Sequence, residues 1–82
     1  MYFVYAIASK SRNYIYVGIS NNVQRRLDEH NLGYNKTTKP YRPFILIRQE
    51  EFPTRSEARK REIALKSTTG KRFLKSLIQE EE

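Results

Sequence analysis

The stretch Tyr14-Ile15-Tyr16-Val17-Gly18-Ile19-Ser20-Asn21-Asn22-Val23-Gln24-Arg25-Arg26-Leu27-Asp28-Glu29-His30 decides the fold, because its pattern changes period partway along. Tyr14 to Ile19 alternates. Tyr14, Tyr16 and Gly18 fall on one side and Ile15, Val17 and Ile19 on the other, the two-residue repeat of a β-strand. Ser20-Asn21-Asn22 then supplies helix-capping side chains, after which Val23 and Leu27 recur at i, i+4 as the apolar stripe of a helix. Arg26 and His30 occupy the adjoining stripe, one turn apart. One strand-to-helix junction therefore gathers a phenol, a glycine backbone, a guanidinium and the only imidazole of the chain. Groups of this kind can hold a phosphodiester and move protons around it.

Toward the N-terminus, Tyr2–Ala8 is rich in aromatic and β-branched residues, with Phe3, Tyr5 and Ile7 on one face and Tyr2, Val4 and Ala6 on the other. The polar link Ser9–Asn13 is short, so the two strands pair as an antiparallel hairpin, and Tyr5 and Tyr16 are expected to face each other across it. Toward the C-terminus, the helix runs to about Asn31 and stops at Gly33. A basic loop from Gly33 to Pro43 follows and carries Tyr34, Lys36, Lys39, Tyr41 and Arg42; it is expected to be flexible. A third strand opens at Phe44 and continues to about Glu51. Thr54-Arg55-Ser56-Glu57 matches a capping box that starts a helix ending near Ser67. Thr68-Thr69-Gly70 reads as a break, and Lys71–Gln79 as a last helix anchored by Phe73, Leu74, Leu77 and Ile78. The architecture is thus α+β: a three-stranded antiparallel sheet flanked by helices, in the order β-β-α-β-α-α.

Eighty-two residues amount to one domain, expected over 1–79 with an acidic tail at Glu80–Glu82. A chain this short buries only about 60–65% of its unfolded surface, so few apolar positions can be spared. It has no Cys, which excludes a disulfide framework and a thiolate metal site. Its longest apolar run, Tyr2 to Ala8, is far short of a bilayer span and lacks a basic n-region, so a cytoplasmic protein with no membrane association is expected. Sixteen Lys and Arg against nine Asp and Glu give a net charge of +7. An excess of this size favours polyanionic partners, since neutralised phosphates release condensed counterions.

Glu62 stands out. Arg59, Lys60, Arg61 and Lys66 surround it, and it falls on the same helical stripe as Ala58 and Leu65. A core-facing carboxylate needs a cation beside it. That cation is either Arg26 or another guanidinium, or a hard divalent ion that takes one carboxylate from the protein and the rest from water and phosphate.

At these residues the chain resembles the GIY-YIG nuclease domain over nearly its whole length. It is similar to small stand-alone members, to the N-terminal domain of the excision-repair nuclease and to the structure-selective resolvase branch. The paired signatures correspond to Phe3-Val4-Tyr5 and Tyr16-Val17-Gly18, with the tyrosines eleven residues apart. The family arginine falls on Arg26, ten residues after Tyr16, within Arg25-Arg26-Leu27…Glu29-His30-Asn31. The family glutamate falls on Glu62, within Glu57-Ala58…Arg61-Glu62…Leu65-Lys66. Three positions depart from the pattern: Phe3 stands where a glycine is usual, Ile19 where many members have a lysine, and no Asn follows Asn35.

The resemblance implies a metal-dependent DNA endonuclease, acting on branched or damaged DNA, with one Mg²⁺ or Mn²⁺ on Glu62. Arg26 would clamp the scissile phosphate, and Tyr5, Tyr16 or His30 would take the proton from water. Tyr5, Tyr16, Arg26 and Glu62 are expected on one concave surface, with Arg25, Lys36, Lys39, Arg42 and Lys66 contacting DNA. A protein partner would supply specificity. The alternative is a nucleic-acid-binding module of the same fold with weak or absent turnover, to which Ile19 and the missing Asn point.

Overall fold

The computed structural model describes residues 1–79; the acidic tail Glu80–Glu82 lies outside them. Strands β1 (Tyr2–Ser9), β2 (Ile15–Ser20) and β3 (Phe44–Phe52) form one antiparallel sheet in the order β2-β1-β3. Helix α1 (Val23–Leu32) follows β2, a single 3₁₀ turn at Lys39–Tyr41 precedes β3, and helices α2 (Arg55–Lys66) and α3 (Thr68–Gln79) follow it. The three-stranded antiparallel sheet in the order β-β-α-β-α-α is thus the observed architecture. No helix among the described residues is long and apolar enough to cross a membrane.

Two-residue alternation divides β1 between two cores. Val4 and Ala6 point to one face, where they pack with Val17, Ala58, Leu65 and Leu74 under α2 and α3. Tyr5 and Ile7 point to the other, where Val23, Phe44, Tyr16 and Leu27 close around them beneath α1. Because β1 is central and covered on both sides, all five residues from Val4 to Ala8 are buried.

Local chemistry fixes the element ends. Asn22 caps α1 by accepting from the Arg25 N–H at 3.1 Å. Gly33 ends it in the left-handed conformation, φ 85°, with its N–H reaching back to the carbonyls of Glu29 and His30. Asn31 ties the end of α1 to the start of β3, accepting from the Phe44 N–H at 2.6 Å and donating to the Phe44 carbonyl at 3.3 Å. Thr54 caps α2 through the Glu57 N–H, as the capping box predicts. The buried stripe of α2 is Ala58, Glu62 and Leu65.

Two local expectations are corrected. Thr68-Thr69-Gly70 is no break: it is the first turn of α3. Ser67 both closes α2, donating to the Ala64 carbonyl, and caps α3, accepting from the Gly70 N–H at 3.1 Å. Gly70 is there for close approach, since a Cβ would collide with the Ala64 carbonyl and the Leu65 backbone. Second, the Gly33–Pro43 loop is tied down rather than free. Ser9 Oγ donates to the Tyr41 carbonyl at 2.6 Å, Ser11 Oγ to the Arg42 carbonyl at 3.2 Å, and Tyr14 stacks on Tyr41 with centroids 3.9 Å apart.

Candidate active site

The site grows out of the β1–β2 pairing. Tyr5 lies directly opposite Gly18, and Tyr16 opposite Ile7, so the two tyrosines are diagonal neighbours with ring centroids 6.2 Å apart rather than directly facing. Gly18 makes room for this: a Cβ there would sit 2.8 Å from the Tyr5 hydroxyl and 3.0 Å from a Tyr16 ring carbon. With no side chain at 18, the Tyr5 phenol lies across β2 and reaches α1. There its hydroxyl is 3.1 Å from His30 Nε2, with the Arg26 charge nearby. His30 Nδ1 is 2.9 Å from the Thr38 hydroxyl, and the Tyr16 ring covers the imidazole with centroids 4.7 Å apart. Tyr5 and His30 are each 1% exposed.

Burial governs the titration of both groups. It raises the Tyr5 phenol above its usual range, with the nearby Arg26 guanidinium opposing. It lowers His30, and the Arg26 charge lowers it further, against the pull of Glu29. The imidazole is therefore neutral at pH 7, with one ring nitrogen free to accept.

The carboxylate arrives from the other side of the sheet. Helix α2 packs on the face opposite Tyr5 and Tyr16, so Glu62 and the tyrosines come from elements on opposite sides of the sheet. Glu62 nevertheless reaches an open cleft of about 570 Å³ lined by Tyr16, Gly18, Ile19, Arg55, Ser56 and Arg59. β2 is an edge strand, and groups from both faces meet over it. Arg26 does not line this cleft. It lies in a neighbouring hollow with Asn21 and Arg25, which shares Ile19 and Arg55 with the first.

Glu62, 7% exposed, does not pair with Arg26; that arginine bonds Glu29 at 2.8 Å. Its partners come from its own helix, Arg59 at 2.6 Å and Lys66 at 3.1 Å, one on each oxygen. Burial pushes the carboxyl up, but these two cations outweigh it and hold it below the usual range. Among the described residues, Glu62 is the only carboxylate lining the cleft, and no three His, Cys, Asp or Glu side chains cluster as a metal cage. The donor set fits a hard divalent cation that draws most ligands from water and phosphate, and does not fit an ion needing an all-protein shell. Arg59 and Lys66 are exposed enough to swing aside cheaply.

Of the other expected cations, Arg25 flanks the arginine hollow and Lys66 is engaged with Glu62. Lys36, Lys39 and Arg42 are exposed on the loop whose later part is fastened to the hairpin turn, at the opposite end of β2 from Ser20. Sequence reasoning missed Arg55 and Thr38. Arg55 follows the Thr54 cap, where the sequence pattern marks only the start of a helix. Thr38 is buried but sits among loop residues, where no periodicity marks an inward position.

The comparisons with known proteins bear on the family and the fold. The pattern of the GIY-YIG catalytic domain matches residues 1–75. A UPF0213 protein of Staphylococcus haemolyticus is 38% identical over 77 residues, 93% of each chain. A UPF0213 protein of Listeria monocytogenes is 43% identical over 82 residues, 99% of this chain and 90% of its own. The solution NMR structure of a UPF0213 protein from Bacillus halodurans superposes with a TM-score of 0.55 at 33% identity, over 94% of this chain and 85% of that one.

Proposed function

The chain belongs to the GIY-YIG catalytic domain family, and on that premise we propose that it is a divalent-metal-dependent DNA endonuclease working in the cleft over β2. Domains of this family are typically nucleases and generally use divalent metal ions. The observation that carries the reading is the meeting of Glu62, Tyr16 and Gly18 in one cleft beside a hollow holding Arg25, Arg26 and Arg55. A carboxylate for a cation and guanidinia for phosphate thus adjoin each other.

Glu62 would hold Mg²⁺ or Mn²⁺ by whichever oxygen Arg59 or Lys66 releases. When bound, the ion supplies Lewis-acid polarisation of the phosphate. Arg26 binds and orients the scissile phosphate through its forked donors, while Arg25 and Arg55 hold the strand beside it. Proton movement falls to the pair behind Gly18. A phenol raised by burial cannot stand as a free phenolate, so Tyr5 serves as base only if its own proton leaves as one arrives from water. His30, neutral and 3.1 Å away, is the acceptor. Tyr16 covers the imidazole and lines the cleft, keeping bulk water off the pair.

A binding module without turnover is the second reading. It is favoured by two observations: both Glu62 oxygens are already neutralised by cations of the same helix, and Ile19 lines the cleft where many members have a lysine. Incubation with linear, nicked, flapped and four-way DNA in Mg²⁺, in Mn²⁺ and in chelator separates the readings. Cleavage that requires the metal and favours the branched or nicked forms is expected. Tight binding of every substrate with no product in either metal would establish the module instead.

A further inference from the structure

Two hydrogen-bond counts, made from opposite ends of one buried chain of groups, give the same answer for the imidazole. At the Tyr5 end, the residue is 1% exposed and the hydrogen-bond partner of its hydroxyl among the described residues is His30 Nε2, at 3.1 Å. The single phenol proton therefore has His30 Nε2 as its acceptor. At the other end, the Thr38 hydroxyl lies 2.9 Å from His30 Nδ1 and donates to the Asn35 carbonyl at 3.4 Å. Having given its proton to Asn35, Thr38 can only accept from the ring. Both ends require Nδ1–H and a bare Nε2. The opposite tautomer would leave the buried phenol proton without an acceptor.

We propose that Thr38 is a positioning residue: by accepting from Nδ1 it fixes His30 in the one neutral form whose Nε2 can receive the Tyr5 proton. The balance closes without a further reactant. As Tyr5 oxygen takes a proton from water, its own proton passes to Nε2, leaving hydroxide at the phosphate and an imidazolium that still donates through Nδ1 to Thr38. The stored proton then returns through Tyr5. The catalytic part of this inference rests on the nuclease reading; the tautomer does not.

His30 is the only histidine of the chain, so ¹⁵N-histidine labelling reports this ring alone. Long-range ¹H–¹⁵N correlation of the intact protein at neutral pH is expected to show Nδ1 protonated and Nε2 bare. Thr38→Ser should keep that pattern, and the near-isosteric Thr38→Val should lose it. In cleavage assays, Thr38→Val should lower kcat at least tenfold with KM for DNA unchanged, and Thr38→Ser should restore it. A protonated Nε2 in the wild type overturns the proposal, as does a Thr38→Val ring that keeps the wild-type pattern. Should Val unfold the chain, the wild-type and Ser spectra still decide. Wild-type protein that shows the expected tautomer but cuts no DNA retains the Thr38 lock and sinks only the nuclease reading.

Discussion

The two faces of the sheet are built on different physics. Under α2 and α3 the packing is aliphatic, Val4, Ala6, Val17, Ala58, Leu65 and Leu74, held by area removed from water and by close fit. Under α1 the packing is aromatic and wired by hydrogen bonds, Tyr5 to His30 to Thr38. Aliphatic packing tolerates modest shape change but not lost volume. A hydrogen-bonded core tolerates neither a missing partner nor an added charge. On the proposed reading, a chain of 82 residues divides folding and the holding of reacting groups between the two faces and joins them at the edge strand β2.

The sharpest way to break this division is to empty the aliphatic side. Leu74→Ala should cost about 2–5 kcal/mol of unfolding free energy in denaturant titration. It should leave the His30 ring spectrum unchanged in the fraction that stays folded. A shifted imidazole would mean that the faces are coupled.

Next in size, Tyr5→Phe keeps the ring and removes the hydroxyl, leaving His30 Nε2 short of a partner. The expected cost is about 1–3 kcal/mol, with cleavage lost. A stability cost above that of Leu74→Ala would show the α1 face to be the main support of the fold.

The two sides also differ in acid. Burial first, and the Arg26 charge second, hold the folded His30 pKa below its ordinary value of about 6.5. The unfolded chain therefore takes up a proton below about pH 6.5 that the folded chain does not. This contribution is complete above that pH and is lost as pH falls toward the depressed folded pKa. Glu50, lowered by Arg61 and Arg48 against its burial, begins to lose its contribution only below the ordinary carboxylate value of about 4.3. Melting temperature should thus decline between pH 7 and 5.5, and His30→Gln should flatten that decline. An equal decline in the variant would remove His30 as its source.

The smallest effect belongs to the rim. Arg59 is one of two cations on Glu62 and is mostly exposed, so Arg59→Gln should cost less than about 1 kcal/mol by thermal melting. A larger loss would show Glu62 to be a structural ion pair before anything else.

Elements with strong local signals were legible in the sequence. The Thr54–Glu57 box, the Gly33 stop and the Ala58–Glu62–Leu65 stripe each depend on neighbours within four residues, and each is where the spacing put it. What depended on long-range geometry was not. Gly70 has the local look of a breaker, and only the approach of α3 to Ala64 explains it. Spacing put Arg26 and His30 on one helix stripe, but it could not say that α2 would pack behind the sheet and send Glu62 around the edge. Thr38 carries no pattern at all; its burial follows from a loop being pinned by Ser9, Ser11 and Tyr14.

Glu62→Gln tests the account where the two faces meet. Gln keeps the size of the side chain and its reach to Arg59 and Lys66, but loses the charge that holds a hard cation. Melting, DNA titration and metal-dependent cleavage on one preparation should show a folded protein that binds DNA at least as well as wild type and yields no product. A variant that is folded, bound and still cutting would contradict the assignment of Glu62 as the metal-holding carboxylate, and with it the cleft over β2 as the active site.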